Sequence, residues 1–83
     1  MSKFSVGDLV LISDRLNHNM GYAGQIGVVV YVYDYQGNPH EGLSDCSVMA
    51  YDARAKRYWG CGFEDKDLTY KGKFLDFIYG YNS

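Results

Sequence analysis

The sequence predicts an all-β fold, a small antiparallel barrel of five to six strands with a short 3-10 turn and a packed C-terminal tail. Apolar residues alternate along several short segments, β-branched residues dominate the longest of these, and glycines or other turn formers separate them. A chain of 83 residues is long enough for one domain, so residues 1–83 are expected to form a single unit.

Two strands are predicted in the first half of the chain. The first covers residues 6–13, and the second covers residues 24–35, where length and β-branched content favour a strand over a helix. Residues 14–23 between them are polar and predict a loop. Alternate valines, namely Val28, Val30 and Val32, are expected to form the inward face of the second strand. A bulge that slips the register by one residue would exchange them for Val29, Tyr31 and Tyr33.

A hairpin is predicted in the second half. Residues 36–44 hold a cluster of turn formers and the only proline, and strands are then expected over 45–52 and 57–63. Residues 64–68 predict a 3-10 turn that inserts Leu68 into the end of the barrel, and residues 69–71 a short fifth strand that Gly72 ends. The expected core consists of Val10, Ile12, Val28, Val30, Trp59, Cys61, Phe63 and Leu68.

The C-terminal tail has helical periodicity. Phe74, Phe77, Ile78 and Tyr81 occupy positions i, i+3, i+4 and i+7. A helix this short is unstable alone, so the tail is expected to pack on a surface such as that formed by Leu9 and Leu11.

The first half of the chain also resembles a known family. Gly7-Asp8 opens the first strand, Val10 and Ile12 alternate, and Gly24 and Gly27 precede a run of valines. This pattern, over residues 4–33, is similar to the KOW motif found in small SH3-like β-barrels of ribosomal and transcription-elongation proteins. The resemblance implies an SH3-like barrel and a role beside nucleic acid at the ribosome or RNA polymerase.

The placement of charged residues argues against a role beside nucleic acid. Nucleic-acid-binding members typically have a lysine-rich loop around these glycines, whereas residues 17–25 contain no Lys or Arg. The net charge is −2, and most affinity for nucleic acid comes from cations that neutralise phosphates. The most basic segment contains Arg54, Lys56 and Arg57. Nucleic acid is therefore a possible partner, but the net charge disfavours it.

No catalytic residue, metal site or cofactor is predicted. The two cysteines and two histidines are scattered singly, whereas zinc ligands usually occur in closely spaced pairs. Neither cysteine has the electropositive setting that a reactive thiolate needs. Gly21, Gly24 and Gly27 precede a strand, so they do not form a phosphate cradle, which requires a following helix. Gly24 and Gly27 are instead expected to allow a positive φ and a close backbone approach where the strand bends. The chain is therefore not expected to be an enzyme.

The location follows from what the sequence lacks. No signal peptide, long apolar segment or lipidation motif is recognisable. We expect a cytoplasmic protein with reduced thiols and no association with a membrane.

The aromatic content suggests a binding surface. Nine tyrosines are more than a small barrel can enclose. Tyr31 is expected in the core, while the other strand tyrosines could line the core or form an exposed platform. Tyr and Arg supply much of the energy of protein interfaces. The predicted protein-binding surface consists of Tyr33, Tyr35, Tyr51, Arg54, Arg57 and Tyr58.

Two functions remain open at this point. The first is a small non-catalytic protein-interaction module, such as a regulator or inhibitor of a larger macromolecular machine of the kind that phages encode. The alternative is a KOW-like nucleic-acid-associated protein that contacts RNA or DNA through Arg54, Lys56 and Arg57. The sequence names neither the partner nor the oligomeric state.

Overall fold

The computed structural model describes residues 2–76 of the chain. Two 3-10 turns, Met20–Tyr22 and Asp65–Asp67, lie between the strands, and residues 74–76 are helical. The expected packing of Phe77, Ile78 and Tyr81 lies outside the described residues. The strands are β1 (Asp8–Ile12), β2 (Ile26–Val32), β3 (Cys46–Asp52), β4 (Arg57–Phe63) and β5 (Leu68–Lys73).

All five strands form one antiparallel sheet in the order β4-β3-β2-β1-β5. The predictions of an all-β fold and of five antiparallel strands are confirmed. A closed barrel is not formed, because β5 pairs with β1 and the described residues contain no pairing between β5 and β4. The sheet therefore has one core face, one outer face and two edges.

The core lies on one face of the sheet. Alternate residues of β3 point into it, and segments outside the strands complete it. Leu16 and Tyr22 come from the loop that was predicted to be polar, and the Tyr22 ring meets Phe63 edge to face at 5.6 Å between centroids. The buried apolar residues are Phe4, Val10, Ile12, Leu16, Tyr22, Val29, Cys46, Val48, Ala50, Phe63 and Leu68.

The predicted inward face of β2 is wrong at Val28 and Val30. Val29 is fully buried, whereas Val30 is 42% exposed and Tyr31, which was expected in the core, is 56% exposed. The register between β2 and β3 shifts after Val29, so Val30 is an extra residue in a bulge. The bulge returns Val32 to the core side, where it is half-buried. Val28 is also only half-buried, because it belongs to the outer face.

The prediction for β4 is partly wrong. Phe63 is buried as expected and Cys61 is half-buried, but Trp59 is 42% exposed. Trp59 lies opposite Ala50 and thus on the core side. Because β4 is an edge strand, no strand in the described chain pairs with it on the side away from β3, and the Trp59 side chain stays partly exposed.

Two glycines have the roles that the sequence predicted. Gly24 has a positive φ of 75°, which L-residues with a side chain rarely adopt. At Gly27, a Cβ atom would lie 2.5 Å from Val48 Cγ1 and 2.6 Å from the Met49 carbonyl oxygen, so β2 approaches β3 closely there. Gly72 differs from expectation, since it lies within β5 instead of ending it.

The closing turn matches its prediction. Asp65–Asp67 is a 3-10 turn, and Leu68 directly after it is buried. The Asp65 carboxylate accepts hydrogen bonds from the Ser2 hydroxyl at 2.6 Å and the Lys3 amide at 2.7 Å. These bonds attach the N-terminal segment to the turn and hold Phe4 in the core.

Candidate functional site

Four aromatic rings contact one another in sequence along one end of the sheet, and we call them the aromatic ladder. It consists of Tyr31, Tyr33, Tyr35 and His40, with 5.1, 6.3 and 4.8 Å between the centroids of successive rings. The His40 ring lies parallel to that of Tyr35, and the Tyr35 hydroxyl donates a 2.6 Å hydrogen bond to the Ser44 carbonyl. The loop after β2 is thereby held against the start of β3.

A second aromatic group lies at the hairpin end, where the turn over residues 53–56 joins β3 to β4. Tyr51 and Tyr58 face each other across the two strands on the outer face, with 5.1 Å between ring centroids. Arg57 lies on the core side, and its guanidinium carbon is 3.9 Å from the centre of the Trp59 ring. This distance defines a cation–π contact, which holds an arginine in place at an exposed site.

Asp52 organises the hairpin end. Its carboxylate accepts hydrogen bonds from the Arg54 amide at 2.9 Å, the Ala55 amide at 3.1 Å and the Trp59 indole N–H at 3.1 Å. The Ala55 bond, followed by those from Trp59 and Arg54 and the charge of Arg57, lowers the pKa of Asp52 despite its burial. The carboxylate thus stays charged and fixes both the turn and the Trp59 ring.

The six residues predicted to form one protein-binding surface are split between these two groups. Tyr31 at the start of the ladder lies opposite Ser47, and Tyr51 lies four residues further along β3. At about 3.3 Å per residue, this places the two groups roughly 13 Å apart along the strand. Tyr33 and Tyr35 therefore belong to one end of the sheet, and Tyr51, Arg54, Arg57 and Tyr58 to the other.

The outer face of the sheet connects the two ends. Leu9, Val28 and Met49 are direct neighbours across β1, β2 and β3, and Gly60 of β4 continues the row. Ile26 and Met49 are exposed on this face together with Tyr31 and the 73%-exposed Tyr58. Beside them, a cleft of about 440 Å³ is lined by Leu9, Ile26, Lys71 and Phe74. The outer face is thus an apolar surface.

Sequence reasoning missed Ile26, Met49 and Trp59 as surface residues. A signal was present, since β1 and β2 have apolar residues at odd and even positions alike. Such runs indicate strands with two apolar faces, and in this sheet only one face is covered by the core.

The two cysteines are free thiols on the core face. Burial raises the pKa of Cys46 to about 11, against a smaller opposing effect of the Ser2 hydroxyl. Burial also raises the pKa of Cys61, whose sulfur accepts a hydrogen bond from the Asn19 side chain at 3.1 Å. Both thiols are therefore protonated at neutral pH.

Comparison with protein-family models, with curated proteins and with solved structures finds no match to this chain. Within residues 2–76, no helix is long and apolar enough to cross a membrane. The class that the structure itself defines is an all-β protein built on one open, five-stranded antiparallel sheet with an apolar outer face.

Proposed function

We propose that this protein is a small non-catalytic protein-interaction module whose binding surface is the outer face together with the aromatic ladder. The observation that carries this proposal is the set of large apolar side chains exposed side by side on one face of the sheet: Ile26, Tyr31, Met49 and Tyr58. Contiguous exposed apolar patches of this kind mark sites where a protein binds another molecule.

The composition of this surface supports a protein partner. Tyr and Met are enriched at protein interfaces because they desolvate a large area, and Tyr keeps a polar group that can still hydrogen-bond. The ladder rings are fixed by one another and by the Tyr35–Ser44 bond, so little conformational entropy is lost when a partner binds.

An SH3-like or KOW-like relationship is part of the proposal. It is supported by the strand order, in which β5 returns beside β1, and by the 3-10 turn whose Asp67-Leu68 leads into β5. SH3-like barrels often close with such a turn. Action on a larger macromolecular machine, as regulator or inhibitor, is the role that a compact module of this kind would serve.

The test is capture of partners from native lysate on immobilised protein, with and without nuclease. The double variant Tyr31→Ser/Met49→Ser should weaken binding by about 10- to 100-fold, corresponding to ~1–3 kcal/mol for interface residues. Tyr70→Ser is the matched control, since Tyr70 is an exposed tyrosine on the opposite side of the sheet. Equal retention of the partner by all three proteins would reject the outer face as the binding surface.

A nucleic-acid-associated function is the second candidate. Arg54, Lys56 and Arg57 lie within four residues at the hairpin end, next to Trp59, and cations beside aromatic rings suit single-stranded nucleic acid. Affinity would then fall steeply with salt, and replacing all three cations by Gln would flatten that dependence. Partner capture that nuclease abolishes would favour this candidate over the first.

A further inference from the structure

β4 is an edge strand that is open along its whole length in the described part of the chain. Its seven residues pair with β3 in one unbroken register, from Phe63 opposite Cys46 to Arg57 opposite Asp52. A regular edge presents a row of unpaired N–H and C=O groups on its free side, which is a template for another strand.

The other edge carries the features by which proteins prevent such pairing. The register of β5 against β1 shifts between Leu9 and Val10, and Gly72 has a φ of 125°. Lys71 and Lys73 also lie on β5. Bulges and lysines protect an edge, and β4 contains no register shift, no lysine and no proline. β4 is therefore the edge available for pairing.

We propose that β4 pairs antiparallel with β4 of a second copy of this chain, about a two-fold axis at Gly60. The order of side chains along the strand suits this arrangement, because the large Tyr58 and Trp59 precede the central Gly60 and the small Cys61 and Gly62 follow it. Tyr58 then lies opposite Gly62 of the second copy, and Trp59 lies opposite Cys61. Tyr58 and Trp59 thus each meet a small side chain of the second copy, while Arg57 lies opposite Phe63 at each end of the interface.

The charges at the two ends of β4 favour the same pairing. The preceding turn holds Arg54 and Lys56, followed by Arg57, whereas Glu64, Asp65 and Asp67 follow the strand around a single lysine, Lys66. Antiparallel pairing brings the basic end of one copy beside the acidic end of the other. The register places Lys56 next to Glu64 of the second copy, and these opposite charges orient the two chains.

The dimer would extend the outer face without covering its centre. A two-fold axis perpendicular to the sheet keeps both outer faces on the same side, so two five-stranded sheets become one continuous sheet. Met49 lies beside Gly60 on the neighbouring strand β3, and Tyr31 lies on β2, one strand further from the edge. Neither residue belongs to the edge strand, so both side chains remain accessible on the outer face. The inference therefore uses a surface separate from the one tested for the proposed function.

Sedimentation equilibrium over a series of protein concentrations tests the inference. We expect a monomer–dimer equilibrium that either Lys56→Glu or Glu64→Lys weakens by ~10-fold or more, because each change sets like charges at both ends of the interface. Mixing the two variants should restore dimerisation, since a heterodimer again has opposite charges at both ends. Lys71→Glu on β5 makes the same charge change at the other edge and should have no effect.

Several results would overturn the inference. One is a protein that stays monomeric at every concentration, and another is a dimer whose affinity neither charge reversal changes. The other two are a mixture of the variants that dimerises no better than either variant alone, and a Lys71→Glu variant that weakens the dimer as much as Lys56→Glu does. A monomer that still captures a protein through Tyr31 and Met49 would refute the dimer and leave the proposed function intact.

Discussion

Val29 lies directly opposite Val48 across β2 and β3, and the next paired residues are Tyr31 and Ser47, so Val30 has no partner on β3. This single extra residue decides which side chains of β2 enter the core. Val29 is fully buried while Val30 is largely exposed.

The bulge predicts that substitution by alanine lowers the stability of the fold by different amounts at two neighbouring valines. Val29→Ala should destabilise the protein by about 2–3 kcal/mol, because it leaves a cavity against Val48, whereas the exposed Val30→Ala should change stability by less than ~0.5 kcal/mol. Urea unfolding of both variants measures the difference. A larger loss at Val30 than at Val29 would mean that β2 has the opposite face inward.

Two glycines on the strands that flank β3 form a second matched pair. Gly27→Ala should cost ~1–3 kcal/mol, because its Cβ would overlap Val48 and the Met49 carbonyl. At Gly60 the nearest atom to an added Cβ is Ser47 Oγ at 3.5 Å, an ordinary contact, so Gly60→Ala should be neutral or slightly stabilising. Thermal unfolding at a concentration too low for self-association compares them, and equal melting temperatures would contradict the close approach of β2 and β3.

Asp52 predicts a specific dependence of stability on pH. In the folded state the pKa of Asp52 is lowered, chiefly by the hydrogen bond from the Ala55 amide. The stabilisation that this carboxylate gives the fold is therefore present above its pKa in the unfolded chain, about 3.9, and is lost as the pH falls below that value. Asp52→Asn should lower the melting temperature at pH 7 and reduce its decline between pH 5 and pH 3.

The matched control for this prediction is Asp14→Asn, which changes an exposed aspartate in a loop. It should leave both the melting temperature and its pH dependence close to those of the unmodified protein. If Asp52→Asn behaved in the same way, the hydrogen bonds to the turn and to Trp59 would contribute nothing to stability.

Cys46 should be an unreactive thiol. With a pKa of about 11, caused mainly by burial, only about one molecule in a thousand carries the thiolate at pH 8. In a Cys61→Ser variant, an aromatic disulfide reagent should therefore label Cys46 ~100-fold or more slowly than a cysteine in an unfolded chain. Labelling in denaturant should remove the difference, and fast labelling of the folded protein would show that Cys46 is accessible.

Local patterns were sufficient for the existence of the five strands and for the closing turn, although β2 ends at Val32 and not at the predicted residue 35. β3 and β4 lie where residues 45–52 and 57–63 alternate around a turn, and Leu68 follows its 3-10 turn into the core. Leu16 and Tyr22 could not be found in this way, because residues in an irregular loop have no periodicity that shows which side chains turn inward.

The candidate site was predictable in its residue types and less so in its arrangement. Tyrosines and two arginines were expected on the surface, and Arg54, Arg57 and Tyr58 are exposed there. The placement of Tyr33 and Tyr51 at opposite ends of the sheet depends on how β2 and β3 pair. Trp59 was expected to be buried, since its position on the core side is visible in the sequence but the edge position of β4 is not.

The sequence by itself determined that this protein is all-β, where its five strands lie to within three residues at each end, and that Gly24 and Gly27 permit a positive φ and a close approach. Alternation, β-branching and turn formers are properties of short segments, and they do not depend on which distant segments pair. Only the tertiary structure decided that the sheet stays open, that Val29 and not Val30 is buried, and that β4 is a free edge. These features depend on the register and order of strands distant in sequence, and one extra residue in a bulge reverses the faces that alternation alone predicts.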